Sequence, residues 1–367
     1  MQGLARLLAI ALVALSAGSA LAGPALVFEA TSGRVLYAED ADHPWYPASL
    51  TKLMTAYITF EDLKAGKIKL TDKLKCSAKA HEQPPSKLGL PVGAEISVEL
   101  GLKVLIVKSA NDVALMLAET VAGSEEAFVA RMNATAKRLG MTSTRFKNPH
   151  GLPDPDQFTT ARDLARLSKA IIKDFPEHAA LFTLDAVQVG NRKLGTHNAL
   201  LKVFQGADGL KTGFICDAGY NVVASATRDG TRIVAVVLGE PSGHERTIRA
   251  SSLLEHGFHN YTWKALFFTG VTLEDLPRST GHRGLITMRE SVTGWDCNRG
   301  ARARARAVAR AKARRQRAAK ARAKGKGRAA VKKAAPGKKT AKPAPKAKKK
   351  LTAKPATTTK SAARAKP

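Results

Sequence analysis

Ser49 stands three residues before Lys52 in Pro47-Ala48-Ser49-Leu50-Thr51-Lys52. The apolar residues around and after it, Leu50, Leu53, Met54, Tyr57 and Ile58, predict a helix running to about Leu63 and ending before Gly66. Positions i and i+3 share a helix face, so the Ser49 hydroxyl and the Lys52 amine could meet. A serine hydroxyl attacks well only when a base takes its proton. A lysine can be that base if burial or a neighbouring cation lowers its pKa. Ser-x-x-Lys pairs are common, however, and most combine a helix cap with a solvated charge. The chemistry needs partners elsewhere in the chain.

Two further groups follow in order, Ser109-Ala110-Asn111 and Lys211-Thr212-Gly213, with about 60 and 100 residues between successive motifs. Ser109 could relay a proton toward a leaving amine. Asn111 carries both a donor and an acceptor and could orient a substrate amide. Lys211 and Thr212 suit a carboxylate, by charge and by hydrogen bond, and Gly213 would let a substrate backbone approach closely. Lys211 is also the second cation that could lower the pKa of Lys52. The bland alternatives are a capping role for Ser109, at a helix starting near Asp112, and an exposed strand end at Lys211.

Ser49-x-x-Lys52, Ser109-Ala-Asn111 and Lys211-Thr-Gly213, taken together from about Gly23 to Asn260, resemble the serine D-alanyl-D-alanine carboxypeptidases, the low-molecular-weight penicillin-binding proteins. The resemblance implies that Ser49 forms an acyl-enzyme, with Lys52 as base and Ser109 as proton relay. It implies an oxyanion hole from the backbone N–H groups of Ser49 and Phe214. The leaving group would be D-alanine from a peptidoglycan stem peptide, and a β-lactam, mimicking that end, would trap Ser49. It further implies that Arg246 helps hold the substrate carboxylate. The loop Asn148-Pro-His150-Gly-Leu-Pro153 would wall the cleft, with His150 as a secondary candidate, and Ser86 would lie in a loop beside the site. Asp208 and His197 read as structural. No cofactor is implied, and no Cys-x-x-Cys or His/Cys cluster suggests a metal.

The chain departs from the family twice. The middle motif is Ser-Ala-Asn rather than Ser-Asp-Asn, and no Glu-x-x-x-Asn segment supplies the glutamate a class A β-lactamase uses in deacylation. Both favour a carboxypeptidase over a β-lactamase. Family members also often carry a β-rich second domain and an amphipathic anchor helix, whereas only about forty residues and a basic tail follow the resembling region here.

The elements that must position these groups are readable. Ala25–Ala30 and Arg34–Glu39 flank Thr31-Ser32-Gly33 as a hairpin. Helices are predicted over Val98–Val107, Val113–Val121 and Glu125–Leu139, and over Thr160–Lys173 with Thr159 or Thr160 as cap. Val187–Val189 reads as strand, and Asp208–Phe214 leads into one. Asn221–Thr227 and Arg232–Leu238 flank a second hairpin turn, and Glu245–Phe258 is a closing helix stopped by Gly257. Strand-rich ends around a helical middle predict an α+β fold: an antiparallel sheet flanked by helices, with a helical subdomain.

Composition bounds the rest. The 367 residues carry a net charge of +30, yet of 60 Lys and Arg 27 fall between Arg299 and Pro367, a stretch without Asp or Glu, leaving 33 basic against 30 acidic residues before it. The body is near neutral, and the basicity belongs to a tail. Residues 1–22 read as a signal peptide: Arg6, an apolar Leu7–Leu15, and Ala20-Leu21-Ala22 as the cleavage pattern. Residues 23–260 are then the catalytic domain, 261–298 a linker or short appended segment, and 299–367 a disordered Lys/Arg/Ala/Pro-rich tail. Export places the chain outside the cytoplasm, in the periplasm or cell envelope. That argues against nucleic acid as the tail's partner and for anionic lipid headgroups or other envelope polymers. Of the three cysteines, Cys76, Cys216 and Cys297, one pair can form, and Cys216 with Cys297 is one option. Three functions stand at this point: a carboxypeptidase; a β-lactamase or cross-link endopeptidase on the same fold; or an inactive envelope-binding protein acting through its tail.

Overall fold

The computed structural model describes residues 23–264, 270–279, 284–293 and 295–297. The predicted leader and basic tail lie outside the described residues. Five strands form one antiparallel sheet: β1 (Ala25–Glu29), β2 (Val35–Glu39), β7 (Ala207–Ile215), β8 (Gly219–Arg228) and β9 (Thr231–Glu240), in the order β2-β1-β9-β8-β7. Two small two-stranded sheets, β3 (Lys73–Lys75) with β4 (Glu95–Ser97) and the hairpin β5 (Ala186–Val189) with β6 (Arg192–Gly195), lie in the central part of the chain. The helices are α1 (Lys52–Lys64), α2 (Ala78–His81), α3 (Val98–Val107), α4 (Asn111–Ala122), α5 (Glu125–Arg138), α6 (Ala161–Asp174), α7 (Leu200–Val203) and α8 (Gly243–Lys264). The predicted α+β class is the observed one.

Period-two alternation divides the sheet between two cores. Leu26, Phe28, Val223, Val234, Val236 and Leu238 pack with the helical layer, where Leu164, Leu167 and Ile171 of α6 lie. Val27, Val222, Ala224, Ile233, Ala235 and Val237 pack on the other face with Ala250 and Leu254 of α8. Both faces are covered, so β8 and β9 read as nearly continuous apolar runs. Gly257 does not stop the closing helix, which continues to Lys264. A Cβ there would come within 2.7 Å of Ile233 and 3.0 Å of Val27. This glycine serves close packing of α8 on the sheet rather than termination.

Helix α1 runs through the middle of the helical part, with every residue from Lys52 to Phe60 buried. Its polar side chains are satisfied locally: Thr59 donates to the Thr55 carbonyl (2.8 Å) and Thr55 to that of Pro149 (2.6 Å). The predicted cap of α6 is Thr160, which accepts from Asp163 N, and Ser97, not singled out in the sequence, caps α3 by accepting from Leu100 N. Beyond α8 the described pieces lie against the sheet and α6. Arg162 pairs with Asp42 through Nε (2.6 Å) and Nη2 (2.8 Å), and donates to the carbonyls of Leu276 and Pro277. Leu273 is fully buried. Cys216 and Cys297 form a disulfide, and Cys76 is a free, buried thiol. Among the described residues, no helix is long and apolar enough to cross a membrane.

Candidate active site

Ser49 lies in a single 3₁₀ turn, Ala48–Thr51, that runs directly into α1 at Lys52. The sequence placed the pair on one α-helix. A 3₁₀ turn has three residues per turn, so positions i and i+3 eclipse and the two side chains come closer than on an α-helix. Ser49 Oγ is 3.0 Å from Lys52 Nζ. The amine is completely buried and has two further partners, Asn111 Oδ1 at 2.8 Å and the His150 carbonyl at 2.6 Å. The Asn111 amide orientation is fixed, because its Nδ2 donates to the Pro84 carbonyl (2.8 Å).

These contacts match a neutral amine. An –NH₂ group has two N–H donors and one lone pair. Asn111 Oδ1 and the His150 carbonyl can only accept, and take the two N–H groups; the Ser49 hydroxyl can donate to the lone pair. Burial holds the Lys52 pKa well below its usual value, Lys211 lowers it further, and Asp112 opposes the shift.

The junction between α3 and α4 supplies the second group. Ser109 has a left-handed φ of 61°, and its Oγ is buried without a hydrogen-bond partner among the described protein groups. It is not a cap: α4 begins at Asn111, with Ala110 in the N-cap position and no side-chain capping bond. Asp112, which sequence reading passed over, orders the loop beside the site. Its carboxylate accepts from Leu88 N (2.9 Å) and Gly89 N (2.8 Å). The Ser86 carbonyl accepts from Asn111 N at 2.7 Å, so this loop is joined to the motif through backbone as well.

Lys211, Thr212 and Gly213 sit within β7, the edge strand, rather than ahead of a strand. Lys211 is buried and donates to the Thr212 carbonyl (3.0 Å). Burial, with a contribution from Arg246, pulls its pKa down to about 7. Arg246, near the start of α8, donates to the His197 carbonyl (3.2 Å), and burial lowers its pKa to about 10. A Cβ on Gly213 would lie 3.1 Å from Ser49 N and 3.2 Å from both Leu50 N and the Pro47 carbonyl. The strand therefore presses against the nucleophile's turn, where an oxyanion hole shared by Ser49 and Phe214 would have to be.

The Asn148–Pro153 loop closes the site from behind. Asn148 Oδ1 accepts from Gly151 N (2.7 Å), and Gly151 adopts φ +85° with its Cα against the Ala48 carbonyl; a Cβ would be 1.8 Å from that oxygen. The His150 carbonyl is what reaches Lys52. The His150 ring is buried and lines the cleft, and burial above all lowers its pKa to about 3. Asn221 braces the turn by donating to the Tyr46 carbonyl (3.0 Å).

These groups surround a cleft of about 770 Å³ whose lining includes Ser49, Ser109, Asn111, His150, Thr212, Gly213, Phe214 and Arg246. Lys52 and Lys211 lie beneath it. The ten residues expected to act in catalysis or substrate binding are therefore brought together, and Ser86 lines the same cleft. His197, read there as structural, also lines the cleft, whereas Asp208 binds Ser225 and Thr227 within the sheet. The sequence reading missed Arg289 and Trp295, which enter the cleft from beyond α8. The Cys216–Cys297 pairing was the one signal for them, since Cys216 follows the β7 motif by three residues.

A cleft-lining serine paired with a buried lysine between a five-stranded antiparallel sheet and a helical subdomain, with a lysine-bearing edge strand opposite, defines a penicillin-binding-protein-like, serine transpeptidase-like protein. The chain belongs to the peptidase S11 family, D-alanyl-D-alanine carboxypeptidase, whose profile matches residues 12–242. It is 41% identical to the D-alanyl-D-alanine carboxypeptidase DacC of Escherichia coli over 258 residues, 67% of this chain and 62% of that protein. It is 34% identical to DacF of Bacillus subtilis, over 73% of this chain and 70% of that one. The chain thus spans about three fifths of the length of DacC. Among solved structures, penicillin binding protein 5 from Haemophilus influenzae superposes with a TM-score of 0.63 at 37% identity, covering 65% of this chain and 71% of that one. Penicillin-binding protein D2 from Listeria monocytogenes, in its cefotaxime-bound form, gives 0.60 at 33% identity, covering 65% and 97%.

Proposed function

We propose that this protein is an exported, penicillin-sensitive serine D-alanyl-D-alanine carboxypeptidase that removes the terminal D-alanine from peptidoglycan stem pentapeptides. The observation that carries the reading is the coordination of Lys52, two obligate acceptors and one hydroxyl around a buried amine. Ser49 Oγ attacks the carbonyl carbon of the penultimate D-alanine while its proton passes to Lys52. The resulting oxyanion is held by backbone N–H groups at the Ser49–Gly213 contact, those of Ser49 and Phe214. Ser109 Oγ, buried with no hydrogen-bond partner among the described residues, relays a proton to the departing amine. Lys211, Thr212 and Arg246 hold the carboxylate of the leaving D-alanine. Water then attacks the acyl-enzyme, with Lys52 again taking a proton. A β-lactam presents a similar carboxylate and amide carbonyl and acylates Ser49; the cefotaxime-bound relative supports this part.

The test is D-alanine release from a stem pentapeptide by wild type and by Ser49→Ala. Release by wild type and its loss in the variant are expected. No release by wild type would contradict the reading, and rapid turnover of penicillin instead would point to a β-lactamase.

A further inference from the structure

The cleft has a direction. Lys211, Thr212 and Arg246 mark its carboxylate end, and the contact between Gly213 and the Ser49 turn marks the reacting carbonyl. On the reading proposed above, the acyl half of the substrate must continue along β7 past Phe214. An extended peptide advances about 3.3 Å per residue, so the residue preceding the acylated D-alanine lies beside Ile215 and Cys216. At that point a strap from beyond α8 bounds the cleft.

Several independent links fix the strap. Cys297 is disulfide-bonded to Cys216. Arg289 makes a two-pronged pair with Asp217, Nε at 3.1 Å and Nη2 at 2.6 Å, and its Nη1 donates to the Cys297 carbonyl at 3.0 Å. Thr287 Oγ1 donates to Asp217 Oδ1, Met288 N to the Asp217 carbonyl, and Thr293 N to that of Pro241. What these links hold in place is Trp295. Its ring is 6.3 Å from Phe214, edge to face, and Phe214 lies 4.2 Å from the Tyr220 ring. Yet Trp295 is 63% exposed at the mouth of the cleft. A large aromatic side chain fixed in an exposed position beside a cleft offers apolar area that a bound substrate can cover. The strap also lies beyond residue 242, where the family match ends.

We propose that Trp295 and Phe214 form an acyl-side subsite for the stem peptide, taking the aliphatic part of the side chain that precedes the acylated D-alanine. Arg289 and the Cys216–Cys297 disulfide are positioning groups that hold Trp295 there. The subsite acts only on substrates long enough to reach it. Its binding free energy comes from a remote part of the substrate and serves to orient the reacting bond, so losing it lowers kcat/KM for long substrates only.

The test compares kcat/KM for a stem pentapeptide ending in D-Ala-D-Ala with that for N-acetyl-D-Ala-D-Ala. In Trp295→Ala the ratio of the two is expected to fall roughly tenfold, the discrimination typical of one apolar contact. It should recover in Trp295→Phe, and it should fall by a smaller factor in Cys297→Ser. An unchanged ratio in Trp295→Ala would overturn the proposal, as would equal loss for both substrates. A second measurement does not depend on turnover. Titrating Ser49→Ala with the pentapeptide should change tryptophan fluorescence, and the change should be absent in Ser49→Ala/Trp295→Phe. If wild type released no D-alanine from either substrate, the carboxypeptidase reading would fall, and the titration alone would still decide the subsite. An identical fluorescence change in both variants would overturn it.

Discussion

We propose that Lys52 acts as the base for Ser49: two of its three partners, Asn111 Oδ1 and the His150 carbonyl, can only accept from it, while the Ser49 hydroxyl can accept or donate. His150 contributes to this through its carbonyl, while its ring meets a different demand. The ring's pKa in the fold is about 3, below the ordinary value of 6.5, so the folded protein holds it neutral. As pH falls from 6.5 toward 3 the unfolded chain binds a proton that the folded one does not, and stability is lost across that window. His150→Gln, measured by thermal unfolding, should lose less stability than wild type between pH 6.5 and pH 4. An identical acid slope would show that other groups set it. Lys211 gives a second pH signature. In the empty cleft burial brings its pKa to about 7, and a bound carboxylate must raise it. The alkaline limb of kcat should therefore lie at higher pH than that of kcat/KM, which reports the free enzyme. Coincident limbs would remove Lys211 from carboxylate binding. At this scale the motif residues were legible because their chemistry is carried by side-chain type and order. Asp112 and Asn221 were not, since each acts by satisfying backbone groups distant in sequence.

The junctions between elements set the geometry: the 3₁₀ turn entering α1, the left-handed Ser109 between α3 and α4, and the edge strand β7. Gly213→Ala would press a methyl group onto the Ser49 turn at about 3.1 Å. Acylation by penicillin should slow by roughly 10- to 100-fold, as misplacement of reacting groups does, with circular dichroism unchanged. A normal rate would mean the turn has room to give. Gly257 is a purely structural counterpart. Gly257→Ala forces a Cβ against Ile233 and Val27, and the overpacking should cost about 1–3 kcal/mol, read as a lowered melting temperature with penicillin labelling retained. An unchanged melting temperature would contradict the packing role. The sequence read Gly257 as a stop because glycine commonly ends helices. Only the facing strands show why one stands inside α8. The hairpins, α3 and α6 were readable because alternation, 3.6-residue spacing and capping residues are local signals.

For the whole molecule, the sheet, the helical part and the strap all contribute walls to one cleft, so its far side is invisible to local reading. Arg289 and Trp295 lie in a stretch with little periodicity, and contacts with Asp217 and Phe214, some 70 to 80 residues earlier, give them a place. The basic stretch from Arg299 onward is a separate charge-bearing unit by composition. We propose that it tethers the enzyme to anionic envelope surfaces, at roughly 1 kcal/mol per basic residue close to such a surface. Full-length protein should associate with anionic vesicles at low salt and release at high salt, and protein truncated at Arg299 should not associate. Equal, salt-insensitive partitioning of both would contradict this tether. The proposed chemistry turns on Lys52 being a neutral base for Ser49. Arginine at position 52 keeps its proton at any accessible pH. The most direct measurement is therefore the rate of labelling by a fluorescent penicillin in wild type and Lys52→Arg, with Ser49→Ala as the blank. A stable adduct in wild type, falling to the blank in Lys52→Arg, is the predicted result; normal acylation of Lys52→Arg would contradict a neutral-base role for Lys52.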